Sequence, residues 1–358
     1  MKADFPGEGL VMEVQLCHHS PMAEDYDVLI VTHNSAKTLS ACLDAVLHLS
    51  PSPSEILLLD NASTDGTPEI ADKYDVRLIR SEQNTGFTGG MNTGLKQLES
   101  PWVLSLNPDC APASDYVATL FRTMSESGKS GEITSATGLL MRAPEDSLEP
   151  GPIIDSAGMI VTPSGRHHDR HAGMRLPERS LAPAWVFGGT GAATLYRRKA
   201  LEDAAYEDGA IFAPSFFAYR EDAELSWRLQ WRGGRCLFEP GAKAAHRRTL
   251  RPEGKRRALP PELNRHSVRN RFLMRIHCAD IGWHLRCFPH WFLRDLLVLG
   301  ACLSVETSSL PGLLDLPGLR ADALRRRRWV LSRRKVSSRQ MVRWFRRPGG
   351  WIEEMQDR

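Results

Sequence analysis

The sequence predicts an α/β fold, with a mostly parallel central sheet, helices on both faces and a helical, basic C-terminal region. Three observations predict it. Short apolar runs alternate with segments of helical periodicity from Tyr26 onward, polar residues cluster where each run ends, and Arg and Lys gather after about residue 240.

Tyr26–Thr32 reads as a buried strand, and Ala36–Leu49 as a helix, because Leu39, Leu43, Val46 and Leu47 recur at helical spacing. Asn34 or Ser35 would cap that helix. Glu55–Asp60 is the second strand, followed by Asn61-Ala-Ser-Thr-Asp-Gly66 and a helix through Asp72. Val76–Ile79 leads into Gln83-Asn-Thr-Gly-Phe-Thr-Gly-Gly90, then a helix over Met91–Leu98 and a fourth strand over Trp102–Leu106. Strands separated by helices of this length argue for a sheet covered on both faces. In such sheets ligands bind beyond the carboxyl ends of the strands. His33, Asp60, Asp65, Asn84, Asn107 and Asp109 all fall there.

From Ser125 to Pro183 the chain is rich in Gly and Pro, and Ile153–Val161 with Gly165–His171 predicts a hairpin or an excursion from the sheet. Ala193–Arg197 reads as a strand, Lys199–Ala205 as a helix, and Tyr219–Trp231 as a helix ended by Gly233-Gly234. The strand Cys236–Glu239 follows. This divides the chain into an N-terminal extension (1–24), a catalytic domain (25–250) and a helical basic region (251–358).

Composition supports an ordinary folded protein: 358 residues, 42% hydrophobic and 25% charged, with a net charge of only +3. The charge is unevenly spread, since Arg320 to Arg347 holds twelve Arg or Lys against the single Asp322. Seven cysteines without a CxxC or zinc-site spacing fit reduced thiols in a cytoplasmic protein. Asp4, Glu8 and Glu13 interrupt the N-terminus, so no signal peptide is expected. Trp291–Val305, the longest apolar stretch, is broken by Arg294 and Asp295 and is too short to span a bilayer.

Several motifs carry chemistry. A carboxylate near a diphosphate makes sense when it holds a divalent cation, which points to Asp109 in Asn107-Pro-Asp109. The same three residues also favour a plain turn. Gly86, Gly89 and Gly90 would let backbone approach a ligand closely, with helix-start amides facing negative charge. Neither a Walker motif nor a Rossmann fingerprint is present, which argues against an ATPase and a dehydrogenase. Glu221, Asp222 and Glu224 crowd the first turn of a helix that follows Phe216-Phe-Ala-Tyr219; a carboxylate there could deprotonate an incoming hydroxyl, although acids also suit a helix N-terminus. A neutral imidazole at His246 could complete a cation site with Asp109.

Together these pieces resemble glycosyltransferase family 2, the GT-A type, and its rhamnosyltransferase-like branch. The resemblance rests on Val31-Thr-His-Asn-Ser35, Leu59-Asp-Asn-Ala-Ser-Thr-Asp-Gly-Thr67, Asn84-Thr-Gly-Phe-Thr-Gly-Gly-Met-Asn92, Leu106-Asn-Pro-Asp109, Phe217-Ala-Tyr-Arg-Glu-Asp-Ala-Glu-Leu225 and His246. It implies a GT-A nucleotide-sugar-binding fold in which Thr32 and Asn34 line the nucleotide pocket, Asp60 meets the base and Asp65 has a supporting role. The segment Gly86 to Asn92 would shape the pyrophosphate and sugar region. Asn107-Pro-Asp109 stands at the family's Asp-x-Asp element, with Asp109 and His246 binding Mg2+ or Mn2+. Glu221-Asp222 matches the catalytic Glu-Asp element, making Asp222 the general base, and Glu224 replaces a frequent aspartate.

The implied reaction is an inverting transfer from a nucleotide-sugar, dTDP-rhamnose or a UDP-sugar, to a saccharide or lipid-linked cell-surface glycan. A nucleotidyltransferase and a non-catalytic carbohydrate-binding or membrane scaffold are the competing readings. The aromatic and basic C-terminal helices, with Arg325–Arg328 and Arg333-Arg-Lys335, suit peripheral attachment to the anionic cytoplasmic face of a membrane. Nucleic acid is not an expected partner, and the oligomeric state is not legible.

Overall fold

The computed structural model describes residues 24–177, 181–248, 260–346 and 353–354. The expected N-terminal extension therefore lies outside the described residues apart from Glu24. So does the start of the C-terminal region, 251–259.

The first half is built as the periodicity predicts. Strand β1 (Tyr26–Thr32) is buried along its whole length, followed by α1 (Leu39–Leu47), β2 (Glu55–Asp60), α2 (Thr67–Ala71), β3 (Arg77–Arg80), α3 (Gly86–Leu95) and β4 (Trp102–Leu106). β1 pairs in parallel with β2 and β4, and β2 with β3. Helix α1 starts later than expected, with Thr38 at its N-cap and no side-chain cap. Asn34 instead adopts a left-handed backbone (φ 52°) and is used between loops. Helix α3 starts earlier than expected, inside the Gly-rich segment, because glycines there meet strand side chains. A Cβ at Gly90 would lie 2.6 Å from Val31, and one at Gly94 2.4 Å from Leu29.

The second half adds β5 (Cys110–Pro112), α4 (Tyr116–Glu126), β6 (Ile133–Arg142), β7 (Ile154–Ser156) and the hairpin β8 (Met159–Val161) and β9 (His167–Asp169). Then come β10 (Ala184–Val186), β11 (Ala193–Arg197), α5 (Arg198–Ala204), α6 (Glu221–Trp231) and β12 (Arg235–His246). The main sheet runs β13-β10-β12-β6-β11-β4-β1-β2-β3, with β13 at Glu353–Glu354. Only its N-terminal half is purely parallel: β11 lies antiparallel between β4 and β6, while β12 runs parallel to β6. A register shift between Glu239 and Lys243 lets β12 continue past Pro240-Gly241 to His246.

Six C-terminal elements follow: α7 (Pro261–Cys278), α8 (Ile281–Cys287), α9 (His290–Ser304), α10 (Leu310–Leu314), α11 (Leu316–Ser332) and α12 (Ser338–Val342). They share a core with the sheet domain. Trp227 and Trp231 of α6 pack with Leu273, Met274, Cys278, Trp283 and Phe345, and Trp231 Nε1 donates to the Cys278 carbonyl at 2.8 Å.

Beneath α6, Glu224 is 1% exposed and pairs with Arg228 at 2.9 Å. It also accepts from the Tyr206 hydroxyl, and Arg228 caps the carbonyls of Ala204 and Ile211. Burial opposes ionisation of Glu224, but Arg228 and His277 hold its carboxyl well below the usual range. Removing one member of such a pair strands the other charge. Glu224→Ala is expected to cost about 3–5 kcal/mol, measured by urea denaturation at neutral pH; a loss within 1 kcal/mol would show the pair to be dispensable.

Candidate active site

Two adjoining cavities open at the carboxyl ends of the parallel strands. The first, of about 490 Å3, is walled by loops that buried or bridging amides stitch together. The Asn34 amide N–H donates to Ser63 Oγ at 2.9 Å, and its Oδ1 accepts from the Thr64 amide at 2.8 Å, joining the loops after β1 and β2. Asn61 joins the second loop to the third, donating to the Gly86 carbonyl at 2.8 Å and accepting from the Thr85 amide at 3.0 Å. Gly86 (φ +74°) meets the segment before α6, where a Cβ would lie 2.5 Å from the Phe217 carbonyl. Thr88 donates to that same carbonyl at 3.0 Å. Thr32, His33, Asn34, Lys37, Asp109 and Arg247 all face this cavity, so two cations lie where an anionic ligand would be compensated.

The second cavity, of about 420 Å3, shares Phe87, Asn107, Asp109, Ala218 and Tyr219 with the first. Asp109 and His246 stand on one of its walls, Glu221 and Asp222 on another. His246 ends β12 opposite Cys110 of β5, and the Arg247 amide donates to the Asp109 carbonyl at 2.9 Å. This pairing brings His246 Nε2 to 3.4 Å from Asp109 Oδ1. On the other side of the ring, Nδ1 lies 2.7 Å from Asp155 Oδ2, a buried carboxylate on β7. A proton on Nδ1 donated to Asp155 leaves Nε2 facing Asp109, the arrangement by which a carboxylate behind the ring orients a metal-binding histidine. Burial works against a charged ring, but the carboxylates of Asp109 and Asp155 on either side of it outweigh this and push its pKa up to about 9.

The donor set fits a divalent cation. Asp109 Oδ1 is buried without a hydrogen-bond partner, and an oriented imidazole lies beside it. Among the described residues no group of three or more His, Cys, Asp or Glu is placed to hold a metal. Asp109 and His246 could supply two ligands, with substrate oxygens and water completing the shell of a cation such as Mg2+.

The acid pair follows three residues in left-handed backbone conformation, Phe217 (φ 62°), Tyr219 (φ 72°) and Arg220 (φ 71°). Buried Asn270 of α7 holds this segment by donating to the carbonyls of Phe216, Ala218 and Tyr219, each at 2.8 Å. Asp222 accepts from the Gly191 amide at 3.1 Å and the Ala223 amide at 2.7 Å. Glu221 Oε2 is buried with no such bond. Burial first, and repulsion by Asp222 second, push the Glu221 pKa up to about 8. Burial also raises Asp222, but its backbone donors favour the anion. Burial and mutual repulsion favour a proton held by the pair, and the two backbone donors at Asp222 favour its place on Glu221.

Of the residues expected from sequence, Thr32, Asn34, Gly86, Asn107 and Asp109 line the first cavity, and Asn107, Asp109, Glu221, Asp222 and His246 the second. Five line neither. Asp60, expected to meet the base, is fully buried behind the wall, accepting from Thr32 Oγ1 at 3.1 Å and from Ser63 Oγ at 2.5 Å. Asp65 ties Thr67 to Ala36. Gly89 and Gly90 make room for Thr85 and Val31, and Asn92 bonds the backbone of Ile211 and Phe212. Glu224, grouped with the acid pair by sequence, points into the core instead. Sequence reasoning missed Lys37, Asp155, Asp169, Arg247, Arg248 and Asn270. Arg247 and Arg248 could have been found by their adjacency to His246; Asp155 and Asn270 carry no local signal.

Residues 27–204 match the family model Glycosyl transferase family 2. The chain is 27% identical over 311 residues to the N-acetylglucosaminyl-diphospho-decaprenol L-rhamnosyltransferase of Mycobacterium tuberculosis, covering 80% of this chain and 95% of that protein. It resembles solved structures of GalNAc-T7 with UDP, GalNAc and Mn2+ (TM-score 0.54, 17% identity, 71% of this chain and 48% of that one). It also resembles Staphylococcus aureus TarS 1-349 in complex with UDP-GlcNAc (TM-score 0.51, 17% identity, 84% and 83%). At these identities the structural likeness establishes a GT-A fold.

The acid pair has a thermodynamic signature. Between the unfolded glutamate pKa of about 4.3 and about 8, the folded chain holds the Glu221 proton more tightly than the unfolded one. Stability contributed by this proton is complete below that window and falls as pH rises through it. Glu221→Gln removes the dependence. Denaturation at pH 5 and pH 8 should therefore show wild type losing stability relative to the variant, by on the order of 1 kcal/mol or more; parallel behaviour of the two would reassign the proton.

Proposed function

We propose, from the premise that the chain is a glycosyl transferase family 2 enzyme, that it transfers a sugar with inversion from a nucleoside-diphosphate donor to a glycan or lipid-linked saccharide. The single observation that carries this reading is one cavity with Asp109 and His246 on one wall and Glu221 and Asp222 on another, opening into a second cavity lined by Lys37 and Arg247.

The division of labour follows from the charges. The first cavity takes the nucleotide and its diphosphate, whose negative charge Lys37 and Arg247 offset. The sugar lies at the seam beside Asn107 and Asp109, and the acceptor hydroxyl enters the second cavity. Asp222, ionised and held by the Gly191 amide, takes the hydroxyl proton as that oxygen bonds to the anomeric carbon. The bond from that carbon to the diphosphate oxygen breaks on the opposite side, which inverts the centre and releases a nucleoside diphosphate. Glu221, protonated, leaves Asp222 as the only anion of the pair. A divalent cation at Asp109 and His246 would supply Lewis-acid stabilisation of the leaving diphosphate.

Rhamnose from a dTDP donor is the reading favoured by the mycobacterial relative, whose name specifies an L-rhamnosyl transfer to a diphospho-decaprenol-linked sugar. UDP-sugars are the alternative donors, since the TarS neighbour holds UDP-GlcNAc. The proposed setting is the cytoplasm, where the six described cysteines, all buried, stay reduced.

Two outcomes test the mechanism. Asp222→Asn is expected to keep donor affinity within about threefold while lowering turnover by roughly 100-fold or more, read as nucleoside diphosphate released from a panel of nucleotide-sugars. Undiminished release would remove Asp222 from the role, and release of pyrophosphate would indicate nucleotidyl transfer. Asp155→Asn is expected to weaken Mn2+ binding by about 10- to 100-fold, measured by titration without donor. Unchanged affinity would mean that His246 does not ligate the ion.

A further inference from the structure

The C-terminal helices carry a face that the folded chain leaves uncovered. Of the fifteen exposed large hydrophobic residues described, eleven lie between Ile281 and Leu314. Leu285, Leu303 and Leu314 are each 71% exposed, and Leu297 is 66% exposed. Scattered apolar residues are normal on a surface, but a contiguous patch of this kind marks a binding face.

Helix α9 shows what the face is for, because its polarity is inverted. Its buried residues are Asp295, Val298 and Cys302, while leucines and Phe292 face outward. Asp295 accepts from Arg275 Nη1 at 3.0 Å and Arg271 Nη2 at 3.4 Å, so the helix turns its one carboxylate toward the protein. A helix in water is built the other way round. Between Ile281 and Leu314 the acidic residues are Asp295, which is buried, and Glu306, which is half-buried, whereas Arg286 of α8 is exposed. An apolar face with an exposed arginine and no fully exposed carboxylate suits the headgroup and acyl boundary of an anionic lipid layer. A second copy docked symmetrically would bring like charges toward each other. No single described helix is long and apolar enough to cross a membrane, and α9 with the segment Thr307–Leu314 is bent by 107°.

We propose that the face formed by α8, α9 and α10 seats this protein on an anionic lipid bilayer. The seat is close to the chemistry. Ser267 of α7 lines the acceptor cavity, and Arg271 and Arg275 one and two turns later hold Asp295 of α9. The eight-residue step from Ser267 to Arg275 rises about 12 Å. Arg271 also donates to the Ser164 carbonyl in the loop between β8 and β9, whose His167 and Asp169 line the same cavity. A lipid-linked acceptor would thus be offered from the layer on which the enzyme rests, an extension that depends on the glycosyl transfer proposed above. The basic segment singled out from sequence contributes less than its composition implies. Arg326 is held by Asp208 and Asp322, Arg325 by Asp322, and Arg327 by the carbonyls of Ile276 and Ala279.

The test is flotation of the full chain with vesicles of phosphatidylcholine and phosphatidylglycerol, alongside light scattering without lipid. Wild type should float, and the triple variant Leu285→Glu, Leu293→Glu, Leu297→Glu should be at least tenfold less vesicle-bound with an unchanged thermal midpoint. Should that variant misfold, Leu297→Cys carrying an environment-sensitive fluorophore should shift to the blue on adding vesicles, against the unsubstituted chain treated alike. Equal flotation of the folded triple variant, a fluorophore indifferent to vesicles, or a wild type that stays in solution would overturn the proposal. A lipid-independent dimer that the triple variant disperses would assign the face to a second copy instead. Flotation needs no sugar donor, and the variant should retain transfer to a water-soluble saccharide. Loss of transfer in both proteins with normal flotation would count against the catalytic reading alone.

Discussion

The site depends on one buried amide. Asn270 donates to three carbonyls of the segment that precedes the acid pair. That segment contains three non-glycine residues in left-handed conformation, a strain of order 1–3 kcal/mol each that persists only where the surroundings over-determine it. Gly86 and Thr88 of α3 press on the same segment from the opposite side, through the Phe217 carbonyl. The Gly-rich motif after β3 and the acid motif of α6, more than a hundred residues apart, are therefore two halves of one clamp. Its product is the position of Glu221 and Asp222 at the cavity wall.

Electrostatics gives the two walls opposite characters. On one, Asp109 and Asp155 bracket His246 and raise its proton affinity despite burial. A cation bound there would replace a proton held between two carboxylates. On the other, burial and mutual repulsion let only one of two adjacent carboxylates ionise. Backbone donors from Gly191 and Ala223 decide that it is Asp222. Environment assigns distinct states to two neighbouring acids, the same logic by which enzymes separate acid from base on one scaffold.

What was legible in the sequence follows the range of the forces involved. Tyr26–Thr32, Glu55–Asp60, Trp102–Leu106 and Ala193–Arg197 were readable to the residue, because a strand buried on both faces writes itself as a short apolar run. The pair Asp109 and His246 was readable through a family resemblance, and the structure brings the two side chains together. Asp60 was misplaced because a polar residue at a strand end can equally brace the wall from behind, and here it receives Thr32 and Ser63. Glu224 sits two residues after Asp222, which on a helix turns it to a different face. Asp155 was invisible: it lies in a Gly- and Pro-rich excursion, and its partner is ninety-one residues away. Asn270 was hidden for the same reason, in a helix whose sequence reads only as basic and amphipathic.

Helix α7 resolves why the C-terminal region cannot be a detachable accessory. It supplies Asn270 to the strained segment, Ser267 to the acceptor cavity, and Arg271 and Arg275 to the carboxylate of α9. Interleaved with these, Leu273, Met274 and Cys278 enter the core shared with Trp227 and Trp231 of α6. α9 is thus tied to α7, and α7 holds the backbone that positions Glu221 and Asp222. Interior packing at crystal-like density transmits shifts rather than absorbing them. The uncovered apolar face of α8 to α10 and the acid pair of α6 are thus both tied to α7, through Arg271 and Arg275 on one side and Asn270 on the other.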